Sequence, residues 1–299
     1  MKPIRVLSLF DGISCGRVAL ERANIPVEVY WASEIEKNAI TVTNYHYGDT
    51  IQLGDITNWK LWNIDLSIID LVMMGSPCQD LSSSGKRKGL KGERSGLFYV
   101  AVDILNDIKH LNPNVKFLAE NVQMDEIWEN IFTNELGVEP IHINSRLVSA
   151  QDRKRLYWCN WKITQPDDKN ISFSDIVEDD WFCASMRGRR IKDGRRCDYD
   201  KTIPIEQYIE CRKDNKSNCC TTVSKDNVAV PVKVPRQKAS ETEWRYLSPV
   251  EYERLQTLPD NYTDIIKSDF ARRSLCGNGW TVDVIVHLLN CLKESLEHV

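Results

Sequence analysis

One cysteine, one glutamate and two arginines carry the strongest chemical signal in this chain. Cys78 follows an apolar run within a Pro-Cys-Gln segment, Glu120 closes a later apolar run, and Arg153 and Arg155 stand two residues apart. A thiol with an ordinary pKa near ~8.5 needs positive charge nearby to act as a nucleophile at neutral pH. A cysteine after a strand is by itself more often a buried thiol. The hypothesis of covalent catalysis by Cys78 therefore depends on Glu120 and the arginines lying close to it.

Three acids form a second candidate set. Asp11 opens a loop that contains Gly12 and Gly16, and Glu34 and Asp55 follow later short apolar runs. An acid at the first position of this loop would repel a pyrophosphate but not a cationic ligand. Glu34 lies close to twenty residues beyond the loop, the place of the acid that binds ribose hydroxyls in nucleotide folds, and Asp55 could accept from an adenine amino group. Each acid could instead cap the helix that follows it.

The apolar runs and helical patterns alternate along the first half of the chain. Strands are predicted at residues 4–10, 27–32, 66–74 and 116–119, with helices between them. Such alternation indicates a mostly parallel sheet with helices on both faces, and ligands bind outside the carboxyl ends of its strands. The candidates at predicted strand ends are Asp11, Glu34, Asp55, Cys78 and Glu120. We therefore expect one crevice to contain all of them.

The alternation fades after residue 165. Residues 166–240 are rich in charged residues and contain short β-type runs at 221–223 and 228–234, whereas helical patterns return at 246–258 and 282–292. We predict a catalytic domain at 1–165, a second lobe at 166–240, and a return to the catalytic domain at 241–299.

Composition restricts the class of protein. The 299 residues carry a net charge of −4, so contact with nucleic acid must be local. Two segments supply positive charge. The first contains Lys86, Arg87, Lys88, Lys91 and Arg94, and the second contains Arg187, Arg189, Arg190, Lys192, Arg195 and Arg196. Either segment could instead be an ordinary solvated surface that binds no nucleic acid. No run approaches the roughly 18 apolar residues of a membrane span, so we expect a soluble intracellular protein. The ten cysteines include no C-x-x-C pair, which favours ordinary reduced thiols over a metal site.

Five short motifs, in order, resemble those of the C5-cytosine DNA methyltransferase family. They are Asp11-Gly12 with Gly16, Gly75-Ser76-Pro77-Cys78-Gln79, Glu120-Asn121-Val122, Gln151-x-Arg153-x-Arg155, and Gly277-Asn278-Gly279-Trp280. The resemblance covers nearly the whole chain outside the second lobe. It is greatest to the catalytic domains of eukaryotic de novo enzymes, without their chromatin-reading modules, while Pro-Cys-Gln and Gly-Asn-Gly-Trp are the forms of bacterial and phage members. A prokaryotic or viral origin is therefore expected.

This resemblance implies a fold, a cofactor and a mechanism. The fold would be a Rossmann-like, mostly parallel seven-stranded sheet of the class I S-adenosylmethionine-dependent methyltransferases, with a small target-recognition lobe. Cys78 would attack C6 of a cytosine flipped out of duplex DNA, Glu120 would protonate N3, and Arg155 with Arg153 would hold O2. Loss of the C5 proton would follow methyl transfer from S-adenosylmethionine, with S-adenosylhomocysteine as the other product.

The resemblance also implies binding residues. The expected cofactor contacts are Phe10, Asp11, Gly12, Ile13, Glu34, Ile35, Asp55, Ile56, Asn278 and Trp280. The expected DNA contacts are Gln79, Ser82, Lys86, Arg87, Arg187, Arg189 and Arg190. No metal or membrane contact is expected, and both a monomer and a homodimer remain open.

Other functions fit less well. Methylation of an RNA cytosine is the nearest alternative, but the Cys-Phe-Thr signature of that branch is missing. A zinc-dependent deaminase needs P-C-x-x-C, and Pro77-Cys78 is followed by no second cysteine at that spacing. A nicotinamide oxidoreductase conflicts with the acidic loop. A non-catalytic relative would be expected to lose Cys78 or its partners. The sequence does not disclose the target site in DNA.

Overall fold

The computed structural model describes residues 2–77 and 96–297, and the chain divides into two compact units. The first unit contains Met1–Asn144, Lys154–Pro166 and Gly279–Val299, and the second contains Ser145–Arg153 and Asp167–Asn278. Five predicted site residues lie outside the described residues: Cys78, Gln79, Ser82, Lys86 and Arg87.

The described residues form the following strands and helices. The strands are β1 (Ile4–Leu9), β2 (Val27–Ser33), β3 (Ile51–Gln52), β4 (Leu71–Met74), β5 (Lys116–Val122), β6 (Pro140–Asn144), β7 (Lys154–Cys159), β8 (Phe182–Arg189), β9 (Ile191–Lys192), β10 (Arg195–Arg196), β11 (Glu206–Cys211), β12 (Val228–Val230), β13 (Gln237–Lys238) and β14 (Arg245–Tyr246). The helices are α1 (Cys15–Arg22), α2 (Lys37–His46), α3 (Leu97–Leu111), α4 (Glu126–Leu136), α5 (Pro249–Leu255), α6 (Asp269–Asn278) and α7 (Val282–Glu297).

A seven-stranded sheet organises the first unit, in the order β3-β2-β1-β4-β5-β7-β6. The pairs from β3 to β5 are parallel, whereas β7 runs antiparallel to both β5 and β6. The predicted Rossmann-like, mostly parallel seven-stranded sheet is therefore confirmed. Because the strand order reverses between β1 and β4, the ends of these two strands form the switch point at which such sheets bind ligands.

Apolar strands hold this sheet in the core. All four residues of β4 and the last four of β1 are buried. Leu105 of α3 and Phe117 of β5 belong to the same apolar cluster, and the Phe98 ring stacks on Phe132 with centroids 3.7 Å apart. Side chains buried on both faces are typical of parallel strands, and they fix the edge at which the strands end.

The strand predicted at residues 66–74 is shorter in the structure. Asp65 accepts a hydrogen bond from the Ser67 amide at 2.9 Å and caps a 3-10 turn at Leu66–Ile68. Asp70 then accepts from the backbone amide of Arg5 at 2.8 Å, so pairing begins only at Leu71. Apolar composition alone could not reveal this turn, because its cap depends on one carboxylate.

Two other elements differ from their predicted extent. Strand β5 continues past Ala119, because Glu120 and Asn121 still pair with β7. The run at 221–223 is a loop rather than a strand, since Thr221 donates its hydroxyl to Asp226 and accepts from the amide of Val223. Polar residues can continue a paired strand, and a β-branched run can lie in a loop.

The second unit contains a five-stranded sheet in the order β13-β11-β8-β12-β14, with antiparallel pairs throughout. A short hairpin, β9 and β10, turns at Asp193 and Gly194, both of which have positive φ. Helices α5 and α6 also belong to this unit. The segment 241–278 was predicted to return to the catalytic domain, but it lies in the second compact unit, where Gln151 donates to the carbonyl of Leu255 at 2.5 Å.

No disulfide joins the nine cysteines described, and burial raises the pKa of the Cys183 thiol to about 12 and that of Cys159 well above its usual range. These thiols are therefore poor nucleophiles.

Within residues 2–77 and 96–297, no cluster of three or more His, Cys, Asp or Glu side chains could hold a metal ion. Over the same residues, every helix is too short or too polar to span a bilayer.

Candidate active site

Glu120 lies at the centre of a compact polar group in the first unit. Its Oε1 is 3.0 Å from Nε of Arg155, and its Oε2 accepts from the indole nitrogen of Trp280 at 3.1 Å. The side chains of Glu120 and Arg155 are only 11% and 13% exposed, so solvent screens this ion pair weakly. The predicted proximity of Glu120 and Arg155 is therefore present, with a tryptophan as a second donor.

The exit of β4 is tied to the strand that carries Glu120. Asn121 donates its buried amide to Oγ of Ser76 at 3.0 Å and to the Ser76 carbonyl at 3.2 Å. Ser76 stands two residues before Cys78 in the sequence. The last described residues before Cys78 thus lie beside β5, one residue along from Glu120.

The loop after β1 is tightly curled. Phe10, Gly12 and Ser14 all have positive φ, an arrangement that is costly for Phe10 and Ser14 because of their Cβ atoms. The Asp11 carboxylate accepts from Ser14 Oγ at 2.5 Å and from the Tyr30 hydroxyl at 2.8 Å. Burial raises the pKa of Asp11, while the hydrogen bond from Ser14 opposes that shift. Asp11 therefore stabilises the conformation of the loop and places a carboxylate within it.

Glu34 connects this loop to the end of β2. Its Oε2 accepts from the amide of Gly12 at 2.8 Å, and its Oε1 accepts from the amides of Ile35 and Glu36 at 2.7 and 2.8 Å. The carboxylate stays partly exposed, and the neighbouring Ile35 side chain is 69% exposed. An oriented carboxylate next to an open apolar side chain can bind a ligand with both hydroxyl groups and an apolar ring.

Asp55 and Ile56 follow β3. Asp55 is exposed and caps the 3-10 helix at Ile56–Leu61, since its Oδ1 accepts from the amide and hydroxyl of Thr57, both at 2.8 Å. Ile56 is buried in the core behind it. Ile13, in the loop after β1, is likewise 1% exposed, so neither isoleucine side chain presents open surface.

The sheet order brings these groups to one edge. Asp55, Glu34 and Asp11 follow β3, β2 and β1, which are neighbours in the sheet. Next come Ser76, which follows β4, and Glu120, which lies on β5. At about 4.8 Å between adjacent strands, the step from β3 to β5 covers roughly 19 Å. Four of the five predicted strand-end residues are described, and all four lie on this edge in that order.

Two further predicted residues, Arg153 and Asn278, lie in the second unit. Arg153 is 4% exposed and donates to the carbonyl of Cys220 at 2.6 Å, and it also contacts the carbonyl of Gly277 at 3.5 Å. Asn278 is exposed at the end of α6. Arg153 thus differs from Arg155, which pairs with Glu120. A role for Arg153 toward the base, or for Asn278 toward a cofactor, stays a prediction.

The three arginines predicted to contact DNA form bonds within the second unit. Arg187 contacts Asp226 at 2.5 Å, and Arg189 makes two bonds to Glu210, at 2.9 and 2.7 Å. Arg190 donates to a backbone carbonyl at 2.9 Å. These contacts support the fold of the unit, and binding of DNA by the same side chains stays a prediction.

Three residues of this site were not predicted in these roles. Trp280 was predicted to line a cofactor pocket, with no contact to Glu120, and Ser76 and Asn121 were predicted only as members of separate motifs. Their positions at the ends of strands that became neighbours could have suggested the Ser76–Asn121 bond. No signal in the sequence could have paired Trp280 with a residue 160 positions away.

A family model described as C-5 cytosine-specific DNA methylase matches residues 4–127 and 162–294, which is more than half of the chain. The chain belongs to this family. The match includes Cys78, Glu120 and Trp280 but omits residues 128–161, where Arg153 and Arg155 lie. The place of Arg155 in the site therefore rests on its contact with Glu120.

Curated relatives in this family include type II methyltransferases of bacteria. The chain is 34% identical to M.NgoBV of Neisseria gonorrhoeae over 185 residues, which are 56% of this chain but only 43% of that protein. It is 25% identical to M.Bsp6I of a Bacillus strain over 98% of this chain and 99% of the relative. The methyltransferase EhMeth of Entamoeba histolytica has a similar fold, with a TM-score of 0.71 at 18% identity over 99% of each chain.

Proposed function

We propose that this protein transfers a methyl group from S-adenosylmethionine to carbon 5 of a cytosine flipped out of duplex DNA, through a covalent bond between Cys78 and cytosine C6. The observation that supports it best is the order of groups along one sheet edge. Three acids suited to a nucleoside with a cationic tail lie at β3, β2 and β1, and the Glu120–Arg155 pair lies on β5 and β7. Strand β4 lies between the three acids and this pair, and Cys78 follows its last residue, Met74, by four positions in the sequence.

The carboxylates and apolar side chains at this edge fit the adenosine half of the cofactor. Glu34 Oε2 carries one backbone bond and Oε1 carries two, so Oε2 keeps a lone pair for a ribose hydroxyl. Ile35 offers exposed apolar surface, Phe10 is partly exposed, and Asp55 can accept from the adenine amino group. Asp11 supplies negative charge for the cationic sulfonium and ammonium groups. When bound there, S-adenosylmethionine supplies an electrophilic methyl group.

The residues near β4 and β5 supply the remaining steps. The Cys78 thiolate adds to C6, because cytosine C5 is otherwise too electron-poor to accept a methyl group. The proton that the Cys78 thiol gives up reaches N3 through Glu120 as the electrons of the C5–C6 bond move toward the ring nitrogen, which leaves an enamine with a nucleophilic C5. Arg155 keeps Glu120 in place and holds O2 of the base. After C5 is methylated, a solvent water takes the C5 proton, and the electrons of that C–H bond re-form the C5–C6 double bond and expel the Cys78 thiolate. N3 then returns its proton to Glu120.

Duplex DNA is the partner that we propose, and the cytoplasm of a bacterial or phage-infected cell is the place of action. The printed names of the family and of the bacterial relatives favour DNA over RNA as substrate. RNA methylation, the alternative that the sequence left open, is less favoured, and a comparison of the two substrates in the same assay tests this choice. Membership of a restriction-modification system is proposed on the same basis.

The decisive experiment combines methyl transfer with covalent trapping. The wild-type protein is expected to place 5-methylcytosine in duplex DNA but not in RNA of the same sequence, as read by mass spectrometry of nucleosides. Duplex DNA containing 5-fluorocytosine should form a stable adduct in the presence of S-adenosylmethionine, because fluorine cannot leave as a proton does.

Cys78→Ala should abolish both signals and leave the Kd for S-adenosylmethionine, measured by calorimetry, within about twofold, since Cys78 makes its bond to the base. Methyl transfer by Cys78→Ala at the wild-type rate, or transfer to another atom of the base, would contradict the proposal.

A further inference from the structure

The indole of Trp280 packs against two glycines in the first unit. A Cβ atom on Gly75 would lie 2.8 Å from Nε1 of Trp280, and one on Gly16 would lie 3.4 Å from its Cζ3. The Cβ on Gly16 would also lie 2.7 Å from the terminal carbon of Met73. The indole therefore occupies the space that a side chain at Gly75 would need, and it lies at ordinary contact distance from Gly16, where Met73 fills the space instead.

The indole ring points its only hydrogen-bond donor at Glu120. Nε1 of Trp280 lies 3.1 Å from Oε2, while Nε of Arg155 lies 3.0 Å from Oε1. Each oxygen of the carboxylate thus has a separate donor on a side chain that is itself held in place. Rotation of the carboxylate about its terminal bond would break both contacts.

Other tryptophans of the described chain use their indole N–H differently. Trp158 donates to the hydroxyl of Thr133 and Trp161 to the carbonyl of Leu288, both at 3.0 Å, and these acceptors are neutral. A carboxylate is an ionised acceptor, and a hydrogen bond to such a group is roughly twice as strong as one between neutral groups. The contact from Trp280 is thus the strongest kind that an indole can make.

From this geometry we infer that Trp280 is a positioning residue for Glu120, which orients the carboxylate toward the cytosine base. This inference rests on the proposed function and goes beyond a role in the wall of a cofactor pocket. A wall residue acts on cofactor affinity, whereas a positioning residue acts on the steps that use Glu120. The two roles therefore predict different kinetic effects.

Trp280→Phe tests the inference because it keeps an aromatic ring and removes only the N–H donor and one ring. We expect kcat for methylation of duplex DNA to fall by about 10- to 100-fold, as small displacements of a reacting group commonly cause. The Kd for S-adenosylmethionine should stay within about twofold, because the indole N–H is committed to Glu120.

A second readout isolates the step before methyl transfer. Addition of Cys78 to C6 and protonation of N3 make C5 able to exchange its hydrogen with water, so tritium is released from DNA that contains 5-tritiated cytosine when no methyl donor is present. Trp280→Phe should slow this release by the same factor as kcat. A purely structural loss would lower the folded fraction, seen by circular dichroism, without changing the rate per folded molecule.

Trp161→Phe is the matched control. It removes a buried indole N–H bonded to a neutral carbonyl, so it should lower stability but leave kcat, tritium release and cofactor affinity per folded molecule unchanged. Gly75→Ala is the second perturbation, since its new methyl group would push on Nε1 of Trp280 without removing the indole. It should lower tritium release too, and the loss should shrink in the Trp280→Ala background.

The outcomes distinguish this inference from the proposed function. Wild-type protein that places no methyl group on cytosine C5 would overturn both. Wild-type methylation together with unchanged kcat and tritium release in Trp280→Phe would overturn the inference alone. So would a variant whose loss of rate is restored by saturating S-adenosylmethionine, because that result assigns Trp280 to cofactor binding. If Trp280→Phe does not fold, the effect of Gly75→Ala on tritium release decides.

Discussion

The buried side-chain amide of Asn121 donates two hydrogen bonds to Ser76, one to Oγ at 3.0 Å and one to the carbonyl oxygen at 3.2 Å. This contact joins the carboxyl end of β4 to β5, the strand that positions Glu120. Asn121 and Ser76 are 1% and 7% exposed, so water cannot replace the lost bonds if the amide is removed. The contact therefore fixes the residues that precede Cys78 beside β5, the strand that carries Glu120.

Asn121→Ala should lower both stability and activity. Loss of the donor leaves buried acceptors on Ser76, at a cost of about 1–3 kcal/mol in the free energy of unfolding. The kcat for DNA methylation should fall by about 10-fold or more, because the segment before Cys78 is no longer held. Urea unfolding and single-turnover methylation measure the two effects.

Asn160→Ala is the control for that variant. Asn160 also bonds two backbone groups in the first unit, at 2.9 and 2.8 Å, with Phe117 and Val115 as partners. It should lower stability by a comparable amount and leave kcat per folded molecule unchanged. Equal losses of kcat in both variants would show that the effect of Asn121 comes from stability alone.

Glu34→Gln should weaken cofactor binding. An amide oxygen replaces one carboxylate oxygen, and the other becomes a donor that faces the backbone amides now bonded to Glu34. We expect the Kd for S-adenosylmethionine, measured by calorimetry, to rise by about 10-fold or more, equivalent to about 1.4 kcal/mol.

Glu36→Gln provides the comparison. Glu36 is also bonded to backbone amides, those of Asn38 and Ala39, but it serves as the cap of α2. This variant should cost about 1 kcal/mol of stability or less and leave the Kd unchanged. A Kd that moves equally in Glu34→Gln and Glu36→Gln would argue against a ribose contact by Glu34.

Arg272→Met should strongly destabilise the second unit. Glu253 is fully buried and pairs with Arg272 at 3.0 Å, so the variant leaves a buried carboxylate without its cation. Removal of one partner of a buried pair costs about 3–5 kcal/mol. Lys238→Met, which breaks the exposed pair with Glu206, should lower stability far less, because solvent screens that pair. Similar unfolding midpoints in urea for the two variants would refute this difference.

The second unit should lose stability in acid. The hydrogen bond from Arg189 holds the pKa of Glu210 below its ordinary value of 4.5, and Arg212 lowers the pKa of Asp214 in the same way. A carboxyl whose folded pKa lies below its unfolded pKa stabilises the fold fully above the unfolded value. Its contribution disappears as the pH falls from about 4.5 through the folded pKa.

Arg189→Gln should flatten this acid dependence by an amount below about 1 kcal/mol, since the pair is partly exposed. The free energy of unfolding, measured by urea titration at neutral pH and at several values below about 4.5, gives the slope. Arg195→Gln removes an exposed arginine from the β9–β10 hairpin and should leave the slope as it is. An unchanged slope in Arg189→Gln would contradict the assigned cause.

Much of the sheet edge that carries Asp11, Glu34 and Glu120 could be predicted from the sequence. Apolar runs that end in Asp11, Glu34 and Glu120 predicted a parallel sheet with these side chains at its carboxyl ends, because parallel strands end at one edge. The limits of the elements were less predictable. The turn before β4 depends on a cap by Asp65, and the extension of β5 depends on pairing of polar residues with a partner strand.

The motif residues, their order and the alternation of strands were determined by the sequence alone, since local apolar patterns encode which segments become strands and helices. Only the tertiary structure decided which distant side chains donate to the carboxylate of Glu120. Glu120 receives Arg155 from an antiparallel strand and Trp280 from a segment 160 residues away. Such contacts depend on which strands become neighbours and on the space that Gly75 leaves for the indole, and no local pattern in the chain records either.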